Sequence, residues 1–80
     1  MIDISRRRLG RTDLMVTELG FGSAPLGGFR GPVHEREAMA TLDAAWVGGV
    51  RYFDSAPFYG YGRSELRIGA LLRDRSRDSF

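Results

Sequence analysis

A carboxylate and a phenol lie five residues apart in the second half of the chain, and together they could carry out proton transfer. Asp54 follows the short, mostly apolar run 50–53, and Tyr59 lies in the Pro- and Gly-rich segment 55–62. In α/β proteins, ligands and reactive groups gather at the carboxyl ends of buried strands. A phenol can donate a proton to a carbonyl, or accept one from an alcohol, once neighbouring charges lower its pKa of about 10. The spacing therefore predicts an acid–base site at the end of this strand.

The elements that precede this site are predicted to be extended. Residues 8–9 and 14–17 are typical of two short strands, and the turn 10–13 between them is rich in turn-forming residues. Residues 18–24 form a further extended run that contains glycines and has no charge after its first residue. That composition favours a buried strand whose backbone is approached closely by another group.

The pattern then changes to a helical period from Glu35 to about Val47. The expected apolar stripe consists of Ala38, Met39, Leu42, Ala45 and Trp46. Gly48 and Gly49 follow directly and are expected to end the helix as a left-handed cap. The helix would cover one face of the strands on either side of it.

A second strand and a second helix complete the predicted order. Residues 50–53 are expected to form the strand that carries Asp54, and Ser64 is predicted to cap a helix that continues to Leu72. Two successive β/α units predict an α/β protein with parallel strands and right-handed crossovers.

Composition argues against several other kinds of site. The 80 residues include no cysteine and one histidine, His34, so a thiolate or multi-histidine metal site is not expected. No apolar run approaches the roughly 20 residues of a membrane span, and the N-terminus lacks the apolar core of a signal peptide. We therefore expect a cytoplasmic protein. The triplet at residues 6–8 is more typical of a solvated strand edge than of a nucleic-acid contact. All 12 basic residues are arginine, so chemistry that needs a lysine cannot be completed within the chain.

These motifs resemble those of the aldo-keto reductases. Residues 9–16 (LGRTDLMV) and 18–22 (ELGFG) are similar to the family's opening hairpin and first barrel strand. Residues 49–60 (GVRYFDSAPFYG) resemble the motif Gly-x-Arg-Phe-Phe-Asp-Thr-Ala-x-x-Tyr-Gly, with Ser55 in place of threonine. Residues 64–69 (SELRIG) resemble the Ser-Glu-x-x-Leu-Gly start of the helix that follows.

The resemblance implies a TIM (β/α)8 barrel that is only partly present. Residues 1–80 would form a partial aldo-keto reductase domain, with the N-terminal hairpin at about 8–17 and the first two β/α units at about 18–80. The chain would stop before the third strand. The loops 23–28 and 56–62 look most like the branch of D-threo-aldose (or L-fucose) 1-dehydrogenases and pyridoxal 4-dehydrogenases.

The resemblance also implies roles for individual residues. Asp54 matches the family's catalytic aspartate, and Tyr59 matches its proton donor and acceptor. Gly22, Ser23 and Ala24 align with the backbone that lines the nicotinamide ribose, and Asp54 is expected near the same ribose. The cofactor would be NADP or NAD, and no metal is implied. The family's catalytic lysine and histidine, on the third and fourth strands, would fall after the last residue of this chain.

The implied activity is hydride transfer between the nicotinamide and an aldose or aldehyde. Without the lysine and the histidine, the chain on its own is expected to be inactive. Two alternatives remain open at this stage. One is a cofactor-binding or regulatory protein without catalysis on the same scaffold. The other is a small α/β interaction module, in which Asp54 caps loop amides and Tyr59 only packs its ring.

Overall fold

The computed structural model of the chain describes residues 3–80 and shows an α/β fold, as predicted. The strands are β1 (Arg6–Arg8), β2 (Met15–Thr17), β3 (Phe21–Gly22) and β4 (Phe53–Asp54); the helices are α1 (Glu35–Val47) and α2 (Arg63–Leu72); short 3-10 turns cover Ala24–Gly27 and Arg77–Ser79. The first two residues of the domain predicted over 1–80 lie outside the described residues.

β1 and β2 form an antiparallel hairpin that begins two residues before the predicted strand. Gly10 turns the chain with φ of 59°, and the Thr12 hydroxyl donates to the Leu9 carbonyl at 2.6 Å. The threonine side chain therefore closes the predicted turn. All three side chains of β1 are exposed, and Arg7 pairs with Glu18 at 2.7 Å. The arginine triplet is a solvated strand edge, as predicted.

β3 and β4 lie side by side as a parallel pair, with α1 between them in sequence. Phe21 is level with Phe53, and both rings pack against the core formed by the helices. Gly22 is level with Asp54, and both are exposed. The prediction of a buried strand over 18–24 is therefore wrong, because the helices cover only one face of this pair and side chains alternate between the two faces.

α1 begins at Glu35 and ends at Val47, as its sequence period predicts. Ala38 and Leu42 are fully buried, and the other three members of the predicted stripe are half-buried. The chain leaves the helix through Gly49, which has φ of 99°. The predicted stripe is therefore the face that α1 turns towards the core.

α2 spans Arg63–Leu72 and contributes Ile68 and Leu71 to the core. The prediction that Ser64 caps this helix is wrong. Gly62, with φ of 100°, is the N-cap residue, and no side chain caps the helix. Ser64 lies inside the first turn and is fully buried, because its hydroxyl bonds to the residue after β3 instead of to its own helix.

A buried arginine connects α2 to the segment between β3 and α1. Arg67 donates to the carbonyls of Leu26 and Val33, each at 2.7 Å, and pairs with Glu35 at 2.7 Å. Only 7% of Arg67 is exposed. Hydrogen bonds from a charged donor are stronger than neutral ones, so this contact holds the segment on which the candidate site rests.

Candidate active site

Asp54 lies at the carboxyl end of β4, next to the residues that end β3. Its partner across the parallel pair is Gly22. The Ser23 amide donates to the Asp54 carbonyl oxygen at 3.1 Å. The structure thus brings together three of the predicted site residues, and Asp54 is exposed to receive a ligand.

The space in front of Gly22 is open. A Cβ atom built on this glycine would meet nothing within 4 Å among the described residues. Close packing against a helix therefore does not explain the glycine at this position. Because Gly22 has no side chain, a ligand could approach the β3 backbone closely at this point, directly beside Asp54.

Tyr59 is positioned by two backbone segments in close contact. A Cβ on Gly27 would lie 2.5 Å from the Gly60 nitrogen and 2.7 Å from the Tyr59 carbonyl oxygen, and a Cβ on Gly60 would lie 2.6 Å from the Gly27 Cα. The Tyr59 amide donates to the Ala56 carbonyl at 3.1 Å. Tyr59 is half-buried. The 3-10 turn after β3 and the loop after β4 therefore fit together only because both contact residues are glycines.

Three serine hydroxyls connect the ends of both strands to α2. The Ser23 hydroxyl donates to the Asp54 carbonyl at 2.6 Å, and the Ser64 hydroxyl lies 2.7 Å from the Ser23 hydroxyl. The hydroxyls of Ser55 and Ser64 are 3.1 Å apart. Ser23 and Ser64 are both fully buried. Ser23 can therefore face a ligand only through its backbone, since its side chain is used on the helix side of the strands.

A shallow hollow of about 510 Å³ lies beside Tyr59. Its walls are formed by Ala24, Gly27, Gly28, Phe29, Phe58, Tyr59, Gly60 and Tyr61. Phe29, Phe58 and Tyr61 are largely exposed, and the rings of Phe58 and Tyr61 meet edge to face with centroids 6.4 Å apart. The hollow thus places predicted residues Ala24 and Tyr59 together, in largely aromatic surroundings.

The two candidate catalytic groups have no polar partner within residues 3–80. Neither the Asp54 carboxylate nor the Tyr59 hydroxyl makes a hydrogen bond or an ion pair there, with each other or with another residue. His34 is exposed at the start of α1. In the same part of the chain, no cluster of three acidic, histidine or cysteine side chains could hold a metal ion, and neither helix could span a membrane.

Three contributors to the site carry no site signal in the sequence. From the sequence alone, Gly27 has the pattern of an ordinary loop glycine, Phe29 that of a loop aromatic residue, and Ser64 that of a helix cap. Their contacts lie more than 30 residues away or depend on how two loops pack. Phe58 and Tyr61, by contrast, could be singled out because they flank Tyr59 in the sequence.

Comparison with known proteins identifies the family. The model of the aldo/keto reductase family matches residues 18–80. A pyridoxal 4-dehydrogenase from Microbacterium luteolum is 57% identical over 70 residues, which are 88% of this chain and 20% of that protein. A D-threo-aldose 1-dehydrogenase from a Pseudomonas species is 46% identical over 67 residues, 84% of this chain and 20% of that protein.

A solved structure shows the same relationship. The holo form of an aldo-keto reductase from Bacillus halodurans superposes on 94% of this chain and 24% of its own, with a TM-score of 0.82 and 36% identity. The chain spans about a fifth of the length of the curated relatives named above. The resemblance inferred from the motifs, including the branch of dehydrogenases, is confirmed. The chain belongs to the aldo/keto reductase family.

Proposed function

We propose that this chain carries part of the active site of an NAD(P)-dependent oxidoreductase, in which Tyr59 exchanges a proton with the substrate. The observation that carries the proposal is the pairing of Gly22 with Asp54 at the open face of the parallel strands. The loop that presents Tyr59 packs directly against the turn that follows β3. An acid, an open stretch of backbone and a phenol thus lie on adjoining elements.

The residues present fit a nicotinamide cofactor. The open space in front of Gly22 would admit a flat ring or a ribose to the backbone of residues 22–24, beside the exposed Asp54 carboxylate. A carboxylate is a suitable acceptor for ribose hydroxyl groups. When bound, the cofactor would supply the hydride acceptor for oxidation or the hydride donor for reduction.

In this proposal Tyr59 holds the proton that must move with the hydride. During oxidation the substrate loses a hydride from carbon and a proton from oxygen, and Tyr59 accepts that proton. During reduction Tyr59 donates it to the carbonyl oxygen. Asp54 would hold a neighbouring cation in place, and a cation beside a phenol favours its ionised form. In this family that cation is expected to be a lysine beyond residue 80.

The proposed substrates are small aldehydes and aldoses. The two relatives described above are a pyridoxal 4-dehydrogenase and a D-threo-aldose 1-dehydrogenase. The hollow beside Tyr59 is lined by the exposed rings of Phe29, Phe58 and Tyr61. Aromatic rings pack well against the flat faces of heteroaromatic and sugar rings. We also propose, from the sequence, a cytoplasmic location and no nucleic-acid or membrane partner.

A chimera tests this function. Residues 1–80 are joined to the part of the Microbacterium luteolum pyridoxal 4-dehydrogenase that follows its matched segment, which gives a full-length chimera. Turnover of pyridoxal and of D-threo-aldoses is followed by nicotinamide absorbance with NAD and with NADP. We expect turnover with one of these pairs. A folded chimera that binds the cofactor without turnover would instead support the regulatory alternative, and one that binds no cofactor would refute both.

A further inference from the structure

Ser64 lies on α2 and contacts two of the segments that form the candidate site. Its hydroxyl is 2.7 Å from the Ser23 hydroxyl and 3.0 Å from the Ser23 carbonyl oxygen. Its amide donates to the Tyr59 carbonyl oxygen at 3.2 Å. One fully buried residue of α2 therefore touches both the end of β3 and the loop that carries Tyr59.

The hydroxyl groups form a chain with a defined direction. The Ser23 hydroxyl has one proton and donates it to the Asp54 carbonyl, so it can only accept from Ser64. Ser64 then uses its own proton towards Ser23, and it is left to accept from Ser55 at 3.1 Å. Chains of this kind polarise one another, which strengthens each bond. The chain ends on the backbone of Asp54.

The position of Ser64 favours this use over a role within its own helix. A serine in the first helical turn normally bonds to nearby backbone groups. Here α2 has no side-chain cap, and the hydroxyl of Ser64 points to the strands instead. Buried hydroxyl groups without partners are costly, so loss of Ser64 would leave the Ser55 and Ser23 hydroxyls to find other partners.

We propose that Ser64 is a positioning residue that sets Asp54, through Ser23, and Tyr59, through its own amide, in one fixed arrangement. This inference rests on the proposed function, since it assigns Ser64 to the geometry of that proton-transfer site. Placement errors of about 1 Å can lower a rate by about a hundredfold. Removal of the Ser64 hydroxyl should therefore reduce turnover more than it reduces substrate binding.

The structural part of the inference is tested in the isolated chain. The backbone amide resonances of the Ser64→Ala and Ser55→Ala variants are measured by NMR and compared with those of the unsubstituted chain. Because Ser55 is the terminal donor of the hydroxyl chain, Ser64→Ala should shift the amide resonances of Ser23 and Asp54, whereas Ser55→Ala should leave that of Ser23 unchanged. Ser64→Ala keeps the backbone amide that donates to Tyr59, so Tyr59 should keep that bond. A Ser23 resonance that responds equally to both variants, or to neither, would overturn the inference.

The functional part is tested in the full-length chimera. Ser64→Ala should lower kcat by about tenfold to a hundredfold with KM nearly unchanged, and should move the pH at which kcat changes. Leu42→Met is the control, a core substitution away from the site that keeps volume and lowers stability modestly. It should change neither kcat nor the pH profile.

The outcomes separate this inference from the proposed function. If the unsubstituted chimera turns over substrate but Ser64→Ala behaves like Leu42→Met, the inference is wrong and the function stands. If the chimera has no cofactor-dependent activity, the proposed function fails, and the amide resonances of the isolated chain still decide whether the Ser64 hydroxyl fixes Asp54 through Ser23. Where Ser64→Ala does not fold, Ser23→Ala breaks the same hydroxyl chain, and an unchanged kcat in that variant would overturn the inference.

Discussion

Replacing Gly27 by alanine should destabilise the fold and displace Tyr59, because no room exists for a methyl group. The added Cβ would lie 2.5 Å from the Gly60 nitrogen and 2.7 Å from the Tyr59 carbonyl oxygen, whereas non-bonded heavy atoms pack at about 3.5 Å. Both obstacles are backbone atoms that cannot rotate away, so the loop after β4 must retreat by about 1 Å. Overpacking of this kind costs about 1–3 kcal/mol.

Gly69→Ala is the matched control, with the same chemical change and the opposite expected sign. Gly69 lies within α2, and a Cβ there would meet nothing within 4 Å. Alanine favours a helix over glycine by up to about 1 kcal/mol. In a domain this small, 1 kcal/mol shifts the melting temperature by about 4–8 °C. Gly27→Ala should therefore melt below the unsubstituted chain and Gly69→Ala above it.

Thermal unfolding followed by circular dichroism measures both shifts in the isolated chain. In the full-length chimera, Gly27→Ala should also lower kcat because Tyr59 moves, whereas Gly69→Ala should leave kcat unchanged. If Gly27→Ala melts at or above the temperature of the unsubstituted chain, the two loops do not pack through Gly27 and Gly60, and the placement of Tyr59 argued above is refuted.

Three further predictions concern the charge of Asp54, the charge of Arg67 and the activity of the isolated chain. Asp54→Asn keeps the side-chain size and removes the negative charge that holds the cation beside the Tyr59 phenol in the proposed site. Since a nearby opposite charge can shift the pKa of an acid–base group by about 1–3 units, kcat of the full-length chimera should fall by about tenfold or more near neutral pH. An unchanged pH–rate profile would contradict this. Arg67→Met should lower the free energy of unfolding by about 3 kcal/mol, since the buried Leu26 carbonyl and the part-buried Val33 carbonyl lose a charged donor. The exposed Arg73→Met should change it by less than about 0.5 kcal/mol, and urea unfolding compares the two variants. The isolated chain should show no NAD(P)-dependent turnover in the absorbance assay, and turnover abolished by Tyr59→Phe would disprove the need for residues beyond Phe80.

The parts of this fold that were predicted correctly depend on local sequence. The prediction of α1 from Glu35 to about Val47 agrees with the structure because its apolar stripe and the glycines after it lie within 15 consecutive positions. The placement of Asp54 at the end of a strand, with Tyr59 on the loop that follows, also needed only local spacing and the family resemblance. Their roles in catalysis remain predictions.

The parts that were not predicted depend on contacts between distant residues. Ser64 has the signature of a helix cap, but its hydroxyl partner Ser23 lies 41 residues earlier, and that bond is preferred. The contact between Gly27 and Gly60 likewise joins two loops that no periodic pattern connects. The glycines of residues 18–24 suggested a buried strand. Burial of a strand depends on which faces of the sheet other elements cover, and the helices of this chain cover only one face of the β3–β4 pair.

Proton transfer by Tyr59 is the central claim, and one pair of variants in the full-length chimera tests it most directly. Tyr59→Phe removes only the hydroxyl, and Tyr52→Phe makes the same change at a position where the family motif itself has phenylalanine. Tyr59→Phe should lower kcat by about 10²–10⁴-fold, with cofactor binding retained, while Tyr52→Phe should leave kcat nearly unchanged. Equal activity of the two variants would contradict the account.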